Sequence, residues 1–154
     1  MIDAGALHVT LCFLGWRVQA EVQPILDACL RVAAIPPASL ALDATLWLPS
    51  RRPRVLAVRL ADDDRRLAAA QAALSDALSA GGWYAPQARP FLAHVTVARV
   101  ARDVSQARAT ELAPPPSRSF KGERVTLYRS RLSSTGARYE ALGSIVLGSA
   151  RGLE

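Results

Sequence analysis

The chain has 154 residues, 51% of them hydrophobic, and a formal net charge of +6. That apolar share excludes a disordered chain, and no apolar run is long enough to span a bilayer. The length suits one ordinary domain over 1–154, or two small lobes sharing a cleft.

The positive charge is almost all arginine, with Lys121 the single lysine. Guanidinium grips phosphate in a bidentate fork, so phosphate-bearing partners are favoured. An arginine- and alanine-rich composition also follows from genome base content, so charge alone does not decide function. The two cysteines, Cys12 and Cys29, lack metal or redox spacing. No basic-then-apolar leader opens the sequence, and a reducing cytoplasm is the expected location.

Taken in order, Leu7–Leu14 alternates as a strand and is ended by Gly15. Glu21–Ala33 follows as a helix, with Val22, Ile25, Leu26, Cys29 and Leu30 at helical spacing and Pro24 in the first turn. Leu40–Leu48 is a strand, Pro49–Pro53 a loop, and Arg54–Leu60 the next strand. Asp62, Asp63 and Asp64 open a helix to about Ser79, with Leu67, Leu74 and Leu78 inward and Gly81 and Gly82 stopping it. Ala93–Val100 is a strand and Asp103–Leu112 a short helix. Pro114, Pro115 and Pro116 enforce a loop. Glu123–Leu132 and Tyr139–Leu147 form a hairpin around a turn at Ser133–Gly136. The order β-α-β-β-α-β-α-β-β is an α+β pattern with a rough internal duplication.

The duplication is clearest at two short stretches, LHVTLCFLG from Leu7 and FLAHVTVAR from Phe91. The only two histidines of the sequence, His8 and His94, occupy the same place in both. On a strand, His8, Thr10 and Cys12 share one face, as do His94, Thr96 and Ala98, and the intervening apolar residues face a core. Two imidazoles can hold opposite protonation states near neutral pH, one taking a proton and the other giving one. That suits in-line displacement at phosphorus, with threonine hydroxyls donating to the non-bridging oxygens. A single histidine on a strand would carry no such reading; the matched pair does. Zinc wants three or four ligands, which two histidines and Cys12 do not supply convincingly. No G-x-S-x-G elbow or P-loop is present.

These stretches resemble the 2H phosphoesterase superfamily, and within it the RNA 2′,3′-cyclic phosphodiesterases, also called 2′-5′ RNA ligases. Arg52–Leu60 and Leu127–Leu147 extend the likeness. The resemblance implies a two-lobed, pseudo-symmetric α+β fold with antiparallel sheets around a central cleft. It implies hydrolysis of a 2′,3′-cyclic phosphate on RNA or a nucleotide to a 2′-phosphate, without metal or cofactor, and a weak reverse 2′-5′ joining reaction.

In the resemblance, His94 would activate water, His8 would protonate the departing 3′-oxygen, and Thr10 and Thr96 would hold the phosphate. Phe13 would stack on a base and Arg99 would contact phosphate. Both stand five residues past their histidine, on the wrong face of an ideal strand, so a bulge or bend must re-aim them. Core packing is the competing reading for Phe13, and a solvated strand face for Arg129 and Arg131.

Two features depart from the family pattern. Only seven residues precede His8, where a strand and helix are usual, so either the start is truncated or those pieces are replaced; a missing strand would expose a sheet edge and invite dimerisation or strand exchange. Ala93 replaces a frequent proline, with little chemical consequence. The partners expected are RNA ends or nucleotides bearing a 2′,3′-cyclic phosphate, and no membrane. Two alternatives stay open: a basic RNA- or nucleotide-binding module with weak or no catalysis, and an enzyme of the same superfamily with a non-RNA cyclic phosphate as substrate.

Overall fold

A computed structural model of the protein describes residues 2–50, 53–99, 112–133 and 136–149. Four strands, β1 (Ala38–Leu48), β2 (Val55–Ala61), β3 (His94–Arg99) and β4 (Ser119–Gly122), form one antiparallel sheet in the order β3-β2-β1-β4. β5 (Arg124–Ser133) and β6 (Gly136–Val146) form a separate hairpin. Two helices, α1 (Val22–Cys29) and α2 (Arg66–Ala80), complete the α+β architecture.

α1 forms where the sequence spacing predicts, and it buries Ile25, Leu26 and Cys29. Its last turn tightens into a 3₁₀ turn at Leu30–Val32, so the predicted single helix over Glu21–Ala33 is an α-helix flanked by 3₁₀ turns. α2 begins at Arg66, two residues beyond the acidic triplet, because that triplet acts as its cap. The carboxylate of Asp62 accepts from the Leu67 and Ala68 amides at 3.1 and 2.8 Å. Asp64 accepts from the amides of Arg66, at 3.1 Å, and of Ser39 in β1, at 3.2 Å. Arg65, between cap and helix, sits in the left-handed region at φ 55°. At the other end the Gly82 and Trp83 amides bond back to Ser79 and Leu78, a Schellman closure made possible by Gly82 at φ 76°.

α2 links two apolar clusters. Its Leu67 packs with Ala38, Leu40 and Leu60 of the four-stranded sheet. Its Ala70, Leu74 and Leu78 pack with Ile25, Leu26, Cys29 and Val32, and with Ile145 and Leu147 from the hairpin. Ile25 and Ile145 are almost wholly inaccessible, and each such side chain contributes roughly 1.5–3 kcal/mol. Gly143 of β6 packs so closely on Leu26 that a β-carbon there would lie 2.7 Å from it.

Three expectations need correcting. The segment Leu7–Leu14 is not a strand; it is joined to β3 by the isolated pairing of Val9 with Val95. A bend at Leu11 breaks its alternation, so that Leu11, Cys12 and Leu14 all pack against the helices. Cys12 therefore leaves the face predicted for it beside His8 and Thr10. β4 has no counterpart among the expected elements, because SFKG offers almost no alternation; it forms by pairing Ser119–Gly122 with Ala38–Ala41 at the free edge of β1. β6 starts at Gly136, earlier than the predicted Tyr139. The short helix expected over 103–112 lies almost wholly outside the described residues. No helix among the described residues is long and apolar enough to cross a membrane.

Candidate active site

The pairing of Val9 with Val95 arranges the two motifs. Both valines pack on the cluster beneath the four-stranded sheet. In an antiparallel pair the flanking residues meet crosswise and project to the other face. His8 thus stands opposite Thr96, and Thr10 opposite His94, with all four on the side of the sheet away from Val95 and Leu60. Thr10 is exposed, and His8, His94 and Thr96 are half-buried.

The two imidazoles are held by the same local device. Nδ1 of His8 lies 2.7 Å from the Ala6 carbonyl oxygen, and Nδ1 of His94 lies 2.8 Å from that of Leu92. Each bond reaches two residues back along the chain. A carbonyl only accepts, so Nδ1 carries the proton in both rings, and Nε2 is the atom left to exchange one. A neutral ring in this tautomer is a base at Nε2, and a charged ring is an acid at the same atom. At the first motif the Ala6 carbonyl is presented by a 3₁₀ turn, Ala4–Ala6, whose leading Asp3 side chain accepts from the Gly5 amide.

The register of β3 resolves the position of Arg99. Thr96 pairs with Ala57, and Ala98 with Leu56, so Val97 is an extra residue in the strand. This bulge returns Arg99, paired with Val55, to the face that holds His94, Thr96, Ala57 and Arg59. Arg99 is exposed at the strand end. Arg59, paired with His94 itself, reads in the sequence as one more flanking arginine and is not singled out there. Its guanidinium bonds the Asp43 carboxylate, and Asp43 is in turn the extra residue of a bulge in β1.

Phe13 is also re-aimed. The bend at Leu11 turns it out of the core and leaves it 77% exposed, which removes the core-packing reading. Arg129 and Arg131 pair with Glu140, and this charged group stands on the face of the hairpin opposite Tyr128 and Tyr139. The side-chain bond from Arg129, together with the charges of both arginines, holds the Glu140 carboxyl below its ordinary value against the opposing effect of desolvation.

The hairpin contributes two residues that sequence reasoning missed. The Tyr139 ring meets His8 edge-on, with centroids 4.6 Å apart and planes at 68°. Tyr128 lies 6.2 Å from the same imidazole and 6.0 Å from Tyr139. The signal is present, since both tyrosines fall on one face once the hairpin register is known, but a second strand taken to start at Tyr139 instead of Gly136 leaves that register unset. His8 is accordingly where the two sheets meet: it faces Thr96 across one and touches tyrosines of the other.

Burial pushes the Cys12 thiol up to about 11. The Cys29 thiol is also pushed to about 11, by burial and then by the neighbouring Cys12. Neither is a nucleophile in this arrangement.

Comparison with known proteins bears on the fold and the family. The structure is similar to that of TT0787 of Thermus thermophilus, with a TM-score of 0.79 over 97% of this chain and 82% of that one; at 24% identity this concerns the fold alone. It is similar to E. coli LigT complexed with 3'-AMP, with a TM-score of 0.76 and 30% identity over 96% of this chain and 80% of that one. A protein described as a phosphoesterase matches with a TM-score of 0.78 and 29% identity over the same shares. E. coli LigT has also been solved with NADP+ and with ATP. No curated protein matches in sequence. The family model of the 2'-5' RNA ligase superfamily matches residues 2–133, and the chain therefore belongs to that superfamily, the 2H phosphoesterases.

Proposed function

We propose that the protein hydrolyses 2′,3′-cyclic phosphates at RNA ends or on nucleotides to 2′-phosphates, by proton transfer between two histidines and without a metal. The observation that carries this reading is the crosswise arrangement of His8, Thr96, Thr10 and His94 about the Val9–Val95 pair. It supports the reading because two imidazoles and two hydroxyls then share one surface.

In the reaction, Nε2 of neutral His94 takes a proton from water as its oxygen attacks phosphorus. The bond from phosphorus to the 3′-oxygen breaks, and Nε2–H of charged His8 delivers a proton to that oxygen. The 2′-ester bond is kept. Thr10 and Thr96 donate to the non-bridging oxygens as they gather charge. Arg99, on the same face, adds a cationic contact to phosphate. With a 5′-hydroxyl in place of water as nucleophile, the same displacement, with the 3′-oxygen leaving, joins two ends through a 2′-5′ bond, which is the weaker activity expected. E. coli LigT has been solved with 3'-AMP, NADP+ and ATP, which supports a nucleotide-bearing substrate.

The test is turnover of 2′,3′-cyclic AMP in the presence of EDTA, with the product identified by phosphorus NMR. The reading requires a 2′-phosphate and its disappearance in His8→Ala and His94→Ala. A 3′-phosphate product, or full activity in either variant, overturns it.

A further inference from the structure

Apart from the two histidines, the most exposed large aromatic side chains lie on the turn that leaves the first motif. Trp16 is 85% exposed and Phe13 77% exposed. Exposed tryptophan is unusual, since burying its ring is strongly favourable. The turn that carries it is not loose. Gly15 at φ 71° makes the reversal that a side chain would strain. Arg17 then fixes the turn, with its guanidinium donating to the Leu14 carbonyl at 3.0 Å and to the Trp83 carbonyl at 2.6 Å. Leu14 and Trp83 both pack on the helix cluster. Two aromatic rings are thus presented to solvent from an anchored support.

The chain sets how far they stand from Thr10. Phe13 follows Thr10 by three residues and Trp16 follows Phe13 by three, so each step spans no more than about 11 Å. That reach is short enough for both rings to serve neighbouring nucleotides of one unpaired strand. The net charge of +6 complements a polyphosphate backbone.

We infer that Trp16 is a stacking subsite for the nucleotide preceding the cyclic-phosphate end, beyond the base that Phe13 receives, so that the preferred substrate is a single-stranded RNA end rather than a mononucleotide. This rests on the function proposed above and specifies its substrate class. Stacking on tryptophan is tolerant of base identity, because every base offers a π-face.

The experiment compares 2′,3′-cyclic AMP with tetra-adenylate ending in a 2′,3′-cyclic phosphate, using wild type, Trp16→Ala and Trp16→Phe. In Trp16→Ala, KM for the tetranucleotide should rise about 5- to 100-fold, while kcat/KM for cyclic AMP stays within about twofold. Trp16→Phe should recover most of the loss. An unchanged tetranucleotide KM, or equal losses on both substrates, overturns the inference. Binding of tetra-adenylate ending in a 2′-phosphate, read by tryptophan fluorescence, separates this from failure of the catalytic reading. Quenching in wild type that is absent in Trp16→Ala supports the subsite even if no substrate turns over; no difference between them refutes it.

Discussion

The ring of Tyr139 stands edge-on to that of His8 at 4.6 Å, and among the described residues His94 has no such neighbour. The two histidines, alike in their backbone anchors, are set apart by this contact. An aromatic pair of this kind is worth about 0.5–1.5 kcal/mol, or roughly two- to tenfold in a rate that depends on ring placement. Tyr139→Ala should lower kcat/KM on 2′,3′-cyclic AMP by about that factor, and Tyr139→Phe should change it by less than about twofold. Steady-state kinetics on both variants checks this; equal losses would show that the hydroxyl matters instead of the ring.

Single alanine variants of His8 and His94 should each lose about 10²–10⁴-fold in kcat, and the double variant little more, since the pair acts as a unit. Wild type should show a bell-shaped pH profile. His94→Ala should lose the limb on the acid side, where a base is switched off by protonation, and His8→Ala the limb on the alkaline side. Thr10→Ala and Thr96→Val should each cost about 10- to 100-fold, the worth of a hydrogen bond to charge. Kinetics across pH 5–9 decides all of these.

The start of α2 offers a stability test. Asp62→Ala removes the acceptor for two helix amides and should destabilise the protein by about 1–2 kcal/mol. Arg65→Gly relieves the left-handed backbone and should stabilise it by up to about 1 kcal/mol. Asp64 adds a pH dependence. Desolvation disfavours its charge, but the Arg66 and Ser39 amides and the Arg66 guanidinium prevail and hold its carboxyl below the ordinary 3.8. A group lowered in this way stabilises the fold above its unfolded value, and the contribution fades as pH falls toward the lower folded value. Urea unfolding near pH 7 and in acid should show the Asp64→Asn variant converging on wild type as the pH drops.

The cysteines should be inert in the folded protein. With both thiols pushed to about 11 by burial, on the order of one in a thousand is ionised at pH 8. Alkylation by iodoacetamide, followed by mass spectrometry, should label neither residue until urea unfolds the chain. Rapid labelling of Cys12 in the native state would show that the segment after Thr10 opens.

Much of this is legible in the sequence because periodicity survives where one face is buried. α1, β1, β2 and α2 each announce their apolar stripe, and the paired H-x-T stretches point to one shared site. The rest is hidden by departures of single residues. The bend at Leu11 sends Phe13 outward and Cys12 inward, against strict alternation. The bulge at Val97 restores Arg99 to the histidine face, as the distance from His94 requires. Arg59 and the two tyrosines are hidden for another reason: each reaches the histidines only through strand pairing, and a register misjudged by one residue inverts every later assignment. β4 has no pattern of its own and exists only because β1 offers it an edge.

The crosswise pairing about Val9 and Val95 carries a consequence for how such a protein is altered. Each half supplies one imidazole and one hydroxyl, but the hydroxyl facing either imidazole comes from the other half. Under the function proposed above, neither repeat holds a complete centre by itself, so altering either one should silence both.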